Sequence, residues 1–307
     1  MHVRLTHLDG KLPNIALMKL SQHYKSNGDQ VWFTRSEYRE LFEPTFGRVY
    51  GSTIFTKTKD KLDAFRREFP EAIIGGTGSG STQTIEDVVG QVGGLDYSIY
   101  PEFKQSIGFS QRGCRLKCKF CVVPSKEGRN RDEGSIKSIW RGDGHPKEIV
   151  LLDNDFFGQP DWKVKASEII DGGYKVNFNQ GINVRLIKPE GAQWLSKMRY
   201  YDVQFKRRSI YTAFDNPRDE RIFTRGMSTL TDAGIPPHRV VVYMLVGYWP
   251  GETLADVMDR FKKIINLGAF AYPMVYNDKD KELKKFQRWV VRRYYKFVPY
   301  EQYDNTM

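Results

Sequence analysis

Gly113-Cys-Arg-Leu-Lys-Cys-Lys-Phe-Cys121 contains every cysteine of the 307-residue chain: Cys114, Cys118 and Cys121. Three thiols fall within eight residues and none in the other 299, which points to one local task. The spacing Cys-x3-Cys-x2-Cys lets one loop wrap thiolates around one inorganic centre. A [4Fe–4S] cluster ordinarily takes four cysteines, so three would leave one iron open to another ligand. Two other readings use the same residues. Three thiols with a histidine, His145 being the nearest downstream, could bind zinc, but zinc sites usually come as two separated pairs and a second pair is missing. A disulfide with a spare thiol suits an oxidising compartment, and the sequence opens without a secretory signal.

The flanking sequence alternates strand and helix signals. Gln105 to Ser110 reads as a strand with the cysteine loop leaving its C-terminal end, where α/β barrels carry their chemistry. Lys126 to Arg131 is polar and is expected to be a mobile loop. Lys147 to Phe157 runs from an apolar strand into Asp153-Asn154-Asp155. Lys175 to Leu186 carries Val176 and Phe178, then the polar residues Asn179, Gln180, Asn183 and Arg185 of a pocket rim. Ser209 to Phe214 is a further strand, followed by Asp215-Asn216-Pro217. Arg239 to Gly247 is apolar enough to be buried on both faces. Thr253 is placed to cap a helix over 254–267, whose apolar residues Leu254, Val257, Met258, Phe261, Ile264 and Ile265 share one face. Ala269 to Tyr276 is the last strand of six βα-type units between 105 and 276.

Together with Phe120, the cysteine spacing resembles the signature of the radical S-adenosylmethionine (SAM) enzymes, and Tyr248-Trp-Pro-Gly-Glu-Thr253 resembles a turn common in that superfamily. The resemblance implies an α/β fold with a partial (β/α)6 TIM-type barrel. It implies a [4Fe–4S] cluster on Cys114, Cys118 and Cys121, with the amino and carboxylate groups of SAM on the open iron. An external electron donor such as flavodoxin or ferredoxin would supply the electron that cleaves SAM to a 5′-deoxyadenosyl radical, which abstracts hydrogen from a substrate. Phe120 would then lie against the adenine and Asp153, Asn154 and Asp155 near the amino group. Asn183 and Arg185 would sit at the pocket rim, Arg185 paired with the carboxylate, and Asp215 or Asn216 would meet the ribose. Each polar group has a plainer alternative: a helix cap for the Asp153–Asp155 run, a surface ion pair for Arg185.

Residues 1–100 read as a separate Rossmann-like parallel sheet. Strands are expected at Val3–Thr6, Gln30–Phe33, Val49–Phe55 and Ala72–Ile74, and helices at Pro13–His23 and Lys59–Glu68. The run Gly75-Gly-Thr-Gly-Ser-Gly80 lacks the Lys-Ser/Thr ending of a phosphate loop. The layout resembles the cobalamin-binding-type domain that precedes many radical SAM cores. Its Asp-x-His-x-x-Gly motif is missing, since Thr6-His7-Leu8-Asp9-Gly10 has those letters in another order. A degenerate domain that shapes or covers the active site is favoured over bound cobalamin. Leu95 to Phe103 reads as an extended linker. The expected domains are 1–100, 101–276 and a basic aromatic helical extension over 277–307.

The net charge of +11 is uneven: residues 101–150 hold 11 basic and 6 acidic side chains, whereas residues 1–100 hold 12 of each. That excess could attract nucleic acid or simply solvate the surface and offset a thiolate-ligated cluster. The tail, with Phe286, Trp289, Tyr294 and Phe297 among Lys284, Lys285, Arg288, Arg292 and Arg293, could stack on single strands; an amphipathic helix docked on the barrel is the favoured reading. No apolar run is long enough to cross a membrane, and a cytoplasmic setting is expected. The main expectation is thus a radical SAM enzyme with an unidentified substrate. The alternatives are a zinc-containing nucleic-acid-binding module and a radical SAM enzyme acting on a nucleic-acid base. Sulfur insertion usually needs a second cluster, for which no cysteines remain.

Overall fold

The computed structural model describes residues 1–304, so positions 305–307 of the expected extension lie outside the described residues. The chain forms two compact units that divide after Lys104. In the first, β1 (His2–His7), β2 (Gln30–Thr34), β3 (Arg48–Ser52) and β4 (Ile73–Gly75) pair in parallel in the order β2-β1-β3-β4. Helices α1 (Ile15–Ser26), α2 (Lys59–Glu68) and α3 (Ile85–Val89) complete it. The side chain of Asn14 accepts the Leu17 amide and caps α1, which buries Leu17, Met18, Leu20 and Tyr24. The glycine run after β4 serves packing: a Cβ on Gly76, which has φ 92°, would lie 2.1 Å from the Thr53 carbonyl.

Two findings in this unit depart from the sequence pattern. The stretch Leu95–Phe103 is folded rather than extended. Asp96 accepts the Ser98 amide and the Ser21 hydroxyl and pairs with Lys25, which holds a 3-10 turn over Tyr97–Ile99 and buries Ile99 and Tyr100. The second is Arg4, which lies buried in the middle of the central strand β1, between Val3 and Leu5. Its guanidinium meets Glu43 at 3.0 Å, Thr6 Oγ1 at 2.6 Å and the carbonyl oxygens of Ser36 and Tyr38, and lies over the Phe69 ring at 4.4 Å. A buried charge persists where its donors are satisfied in this way.

The second unit begins with β5 (Ser106–Gly108), followed by a two-stranded antiparallel ribbon, β6 (Gln111–Arg112) and β7 (Arg131–Asp132). Then come β8 (Glu148–Leu151), β9 (Lys175–Phe178), β10 (Arg199–Tyr200), β11 (Ile210–Ala213), β12 (Val240–Val246) and β13 (Phe270–Val275). Apart from the ribbon these strands are parallel and make two sheets, β10-β9-β8-β5 and β11-β12-β13. The sheets approach each other just beyond β9, where the Ile182 amide donates to the Tyr211 carbonyl at 2.7 Å. The helices are α4 (Val123–Lys126), α5 (Ile136–Ile139), α6 (Trp162–Asp171), α7 (Pro189–Lys197), α8 (Glu220–Asp232), α9 (Leu254–Asn266) and α10 (Lys281–Val291). None among the described residues is long and apolar enough to cross a membrane.

Thr253 and Asp256 form a reciprocal capping box at the start of α9. β12 is not buried on both faces: Val240, Val242, Met244 and Val246 are buried, whereas Val241, Tyr243 and Leu245 are half-exposed. Tyr243 stacks on Tyr211 of β11 and meets Tyr272 of β13 edge-on, so the apolar run includes a tyrosine surface on its open side. In the tail, α10 sinks Leu283, Phe286, Trp289 and Val290 into the main core. Gln287 of α10 donates to the carbonyl of Pro273 in the edge strand β13 at 2.8 Å.

Glu43→Gln leaves the Arg4 charge buried without its counterion and should lower unfolding stability by about 3 kcal/mol. Arg4→Met with Glu43→Leu removes both charges and should recover most of that loss. Urea unfolding of the two variants beside the parent chain tests this.

Candidate functional site

The cysteine loop leaves the rim of the first sheet and returns through β6 and β7. Closure requires Gly113, whose φ is 79° and where a Cβ would lie 2.2 Å from the Arg129 carbonyl. The Cys114 amide donates to the Gly128 carbonyl at 3.2 Å. The segment 126–131, expected to be mobile, is therefore the returning half of a hydrogen-bonded excursion.

What holds the excursion is the run Asp153-Asn154-Asp155 at the C-terminal end of β8. Asp153 accepts the Ser110 amide at 2.7 Å, the Ser110 hydroxyl at 2.5 Å and the Gln111 amide at 3.2 Å. Asn154 donates to Glu127 Oε2 at 2.8 Å, and the same oxygen takes the Gly113 amide at 3.1 Å. Asp155 accepts Arg115 Nε at 2.7 Å, Arg115 Nη2 at 3.0 Å and Asn130 Nδ2 at 3.2 Å. The Gln111 side chain bridges the two ends: its Oε1 accepts the Asp155 amide and its Nε2 donates to the carbonyls of Arg112 and Gly113. Three consecutive side chains thus fix the start, the return and the first turn of the loop.

The remaining expected residues come from other strand ends. Cys118 Sγ is approached by Arg185 Nη2 at 3.8 Å, and Arg185 also pairs with Asp219 at 2.6 Å and donates from Nε to Asn183 Oδ1 at 3.3 Å. Phe120 meets Tyr248, just past β12, with ring centroids 5.5 Å apart and nearly perpendicular planes. Asp215 follows β11 and accepts the Leu245 amide at 2.8 Å. Asn216 caps the next turn through the Arg218 amide. The structure therefore gathers Asp155, Arg185 and Asp215 around the three cysteines and Phe120, although Asp155 and Asp215, like Asp153 and Asn216, also accept backbone amides.

Electrostatics set the state of the thiols. Burial pushes Cys114 and Cys121 up, and the neighbouring thiols and the carboxylates of Asp155 and Asp215 add to the shift. Amides oppose it: Leu116 donates to Cys114 Sγ at 3.4 Å, and Val123 donates to Cys121. Burial also pushes Asp215 up. A cation among the thiols would reverse this balance, because metal ligation favours the deprotonated sulfur. Three half-buried thiols with N–H donors aimed at them suit a thiolate-ligated group. Among the described residues, however, no three His, Cys, Asp or Glu side chains are gathered closely enough to hold a metal ion as they stand. His145 lies in a turn closed by its own amide on the Gly142 carbonyl.

Several positioning residues escape a reading for motifs. Lys165 of α6 is buried and donates to the Ser110 carbonyl and Gln159 and pairs with Asp132, tying both strands of the ribbon to the helix. Arg260 of α9 is equally buried, donating to the Asp215 carbonyl at 2.5 Å and pairing with Glu252 at 2.6 Å. Each is a lone cation on an otherwise apolar helix stripe, beside Trp162, Ala166 and Ile169 in α6 and beside Val257, Phe261 and Ile264 in α9. That pattern is the signal that could have found them.

Burial pushes Asp153 up from 3.8 to about 6. In that window the folded chain binds more protons than the unfolded one, so stability falls as pH rises through it and levels off above it. The fall attributable to Asp153 should total roughly 3 kcal/mol. In Asp153→Asn the amide oxygen can accept the two backbone amides and the NH2 can donate to Ser110. This contribution should then vanish from the difference between the two stability–pH curves. Asp155→Ala removes the anchor of Arg115 and should raise the reaction rate of the thiols with a disulfide reagent about tenfold. Stopped-flow absorbance measures that rate.

No family model matches the chain, and no solved structure matches it. It is 25% identical to the ribosomal protein uS12 methylthiotransferase RimO of Opitutus terrae over 195 residues, covering 52% of this chain and 41% of that protein. It is 24% identical to the RimO of Aquifex aeolicus over 187 residues, covering 57% of this chain and 39% of that protein. The chain spans about two fifths of the length of the curated relatives it matches. Both relatives are enzymes by name, and the likeness to them is distant.

Proposed function

We propose that this protein is a radical SAM enzyme. The observation that carries the reading is the Cys-x3-Cys-x2-Cys loop, held at the C-terminal rim of parallel strands beside Asp155, Arg185, Asp215 and Tyr248. The distant likeness to two methylthiotransferases supports the same superfamily. On this reading the two sheets of the second unit are the two arcs of a partial (β/α)6 barrel over residues 101–276. Residues 1–100 form the Rossmann-like domain, and 277–307 the extension.

Cys114, Cys118 and Cys121 would hold the cluster, and a [4Fe–4S] cluster with one open iron supplies the electron for reductive cleavage of SAM. The chain's own residues bind and orient. Arg185, with Asn183 beside it, offers a guanidinium for a carboxylate. Phe120 offers a ring edge to the adenine, Asp215 or Asn216 a polar group to the ribose, and Asn154 a polar group near the amino group. Asp153 and Asp155 act through the loop they anchor. The thiols must give up protons on loading, so loading should weaken as pH falls. The methylthio transfer named for the relatives is not carried over, because the likeness is distant and spans about two fifths of their length. Cobalamin is not favoured, because the Asp-x-His-x-x-Gly motif is missing and His7 is buried, with Nδ1 bonded to the Tyr100 hydroxyl at 3.0 Å. The substrate is unidentified, and the reductant would be a flavodoxin- or ferredoxin-type donor.

Anaerobic loading with iron and sulfide should give about four irons per chain, as a cubane cluster requires. Reduction in the presence of SAM should then release 5′-deoxyadenosine. Cys118→Ala should lose both the cluster and the product. A colourless, zinc-loaded protein that leaves SAM intact would reject the proposal.

A further inference from the structure

The first unit contains a cavity of about 340 Å³ whose lining includes none of the residues assigned to the proposed reaction. It opens at the carboxyl ends of β1 and β2, the edge at which parallel sheets bind ligands. Lys11 and Pro13 come from the loop between β1 and α1, Phe33 and Arg35 flank the last residue of β2, and Tyr100, Glu102 and Phe103 come from the folded segment after α3.

The lining has a definite chemistry. Lys11 and Arg35 are both exposed, and among the described residues neither pairs with a carboxylate. Arg35 spends one donor on the Gly10 carbonyl at 2.9 Å, and a guanidinium has five. Glu102 is the single acid among the lining residues, so the wall carries a net positive charge. The adjoining first turn of α1 holds no acidic side chain, so the positive end of that helix is not offset there. Phe33 and Tyr100 meet at 4.8 Å with planes 70° apart, forming a corner of two rings. The Tyr100 ring is fixed, because its hydroxyl takes the Asn14 amide at 3.2 Å and bonds His7 Nδ1. The volume lies at the small end of ligand sites, roughly 300–1,000 Å³, which suits one ring system with a charged group and leaves no room for a corrin.

We propose that this cavity binds a small anion carrying one planar ring system, with the anionic group against Lys11 and Arg35 and the ring against Phe33 and Tyr100. The site needs no cluster, so it stands or falls apart from the reaction proposed above.

Isothermal titration of the full chain with phenyl phosphate, inorganic phosphate and phenol tests it. Phenyl phosphate should bind at one saturable site, about tenfold or more tighter than either fragment. Lys11→Ala and Arg35→Ala, both at exposed side chains, should each weaken it about tenfold. Phe33→Leu should reduce phenyl phosphate to the affinity of phosphate and leave phosphate itself unchanged. Circular dichroism and urea unfolding check that each variant is folded. No saturable binding at millimolar concentration would overturn the proposal. So would equal affinities for phosphate and phenyl phosphate, or binding indifferent to both cation substitutions.

Discussion

The second unit depends on a carboxylate placed where water cannot reach it. Asp153 ends an apolar strand and must find its partners inside the protein, and the amides of Ser110 and Gln111 are the ones available. Burying an unpaired carboxylate is costly, so this demand fixes where the chain leaves β5. Asn154 and Asp155 extend the constraint to Glu127 and Arg115, on the two halves of the loop. Lys165 closes the arrangement from the helix side by donating to the Ser110 carbonyl. The cysteines are thus presented on a segment with little intrinsic structure whose ends are defined by buried polar groups.

Both units place a buried guanidinium where strand ends need to be joined. Arg4 draws the connection between β2 and β3 over the sheet through Glu43 and two carbonyls. Arg260 does the same for the turns after β11 and β12, through the Asp215 carbonyl and Glu252, whose other oxygen accepts the Gly247 amide. A planar group with several fixed donors can satisfy carbonyls on separate loops at once, which lysine does less well. The aromatic edge of the site, Phe120 against Tyr248 and Tyr248 against Trp249, rests on this scaffold, because Trp249 Nε1 donates to the Asp215 carbonyl.

Much of this was legible in the residues. The apolar runs at 148–151 and 240–246, the Thr253 cap and the stripe of α9 follow from local pattern, and they appear where the pattern puts them. The cysteine spacing identified the loop. The partners of the polar residues were not legible, because a carboxylate that binds a ligand and one that binds a backbone amide are written alike. Asp153 and Asp155 were expected to face a cofactor, and the structure shows them bonded to Ser110, Gln111 and Arg115. The segment 126–131 has the composition of a mobile loop, yet pairing with residues some twenty positions earlier orders it. Leu95–Phe103 has no periodicity that predicts its fold, since its anchors, Ser21 and Lys25, lie on α1.

An open sheet has a last strand, and here that strand is β13. Pro273 stands in its middle, with a nitrogen that has no hydrogen to offer and a carbonyl already taken by Gln287. Exposed strand edges invite the addition of a strand from another molecule, and proline on the edge is one of the few devices that prevents it. At this position, then, neither the nitrogen nor the carbonyl is left to pair with an added strand.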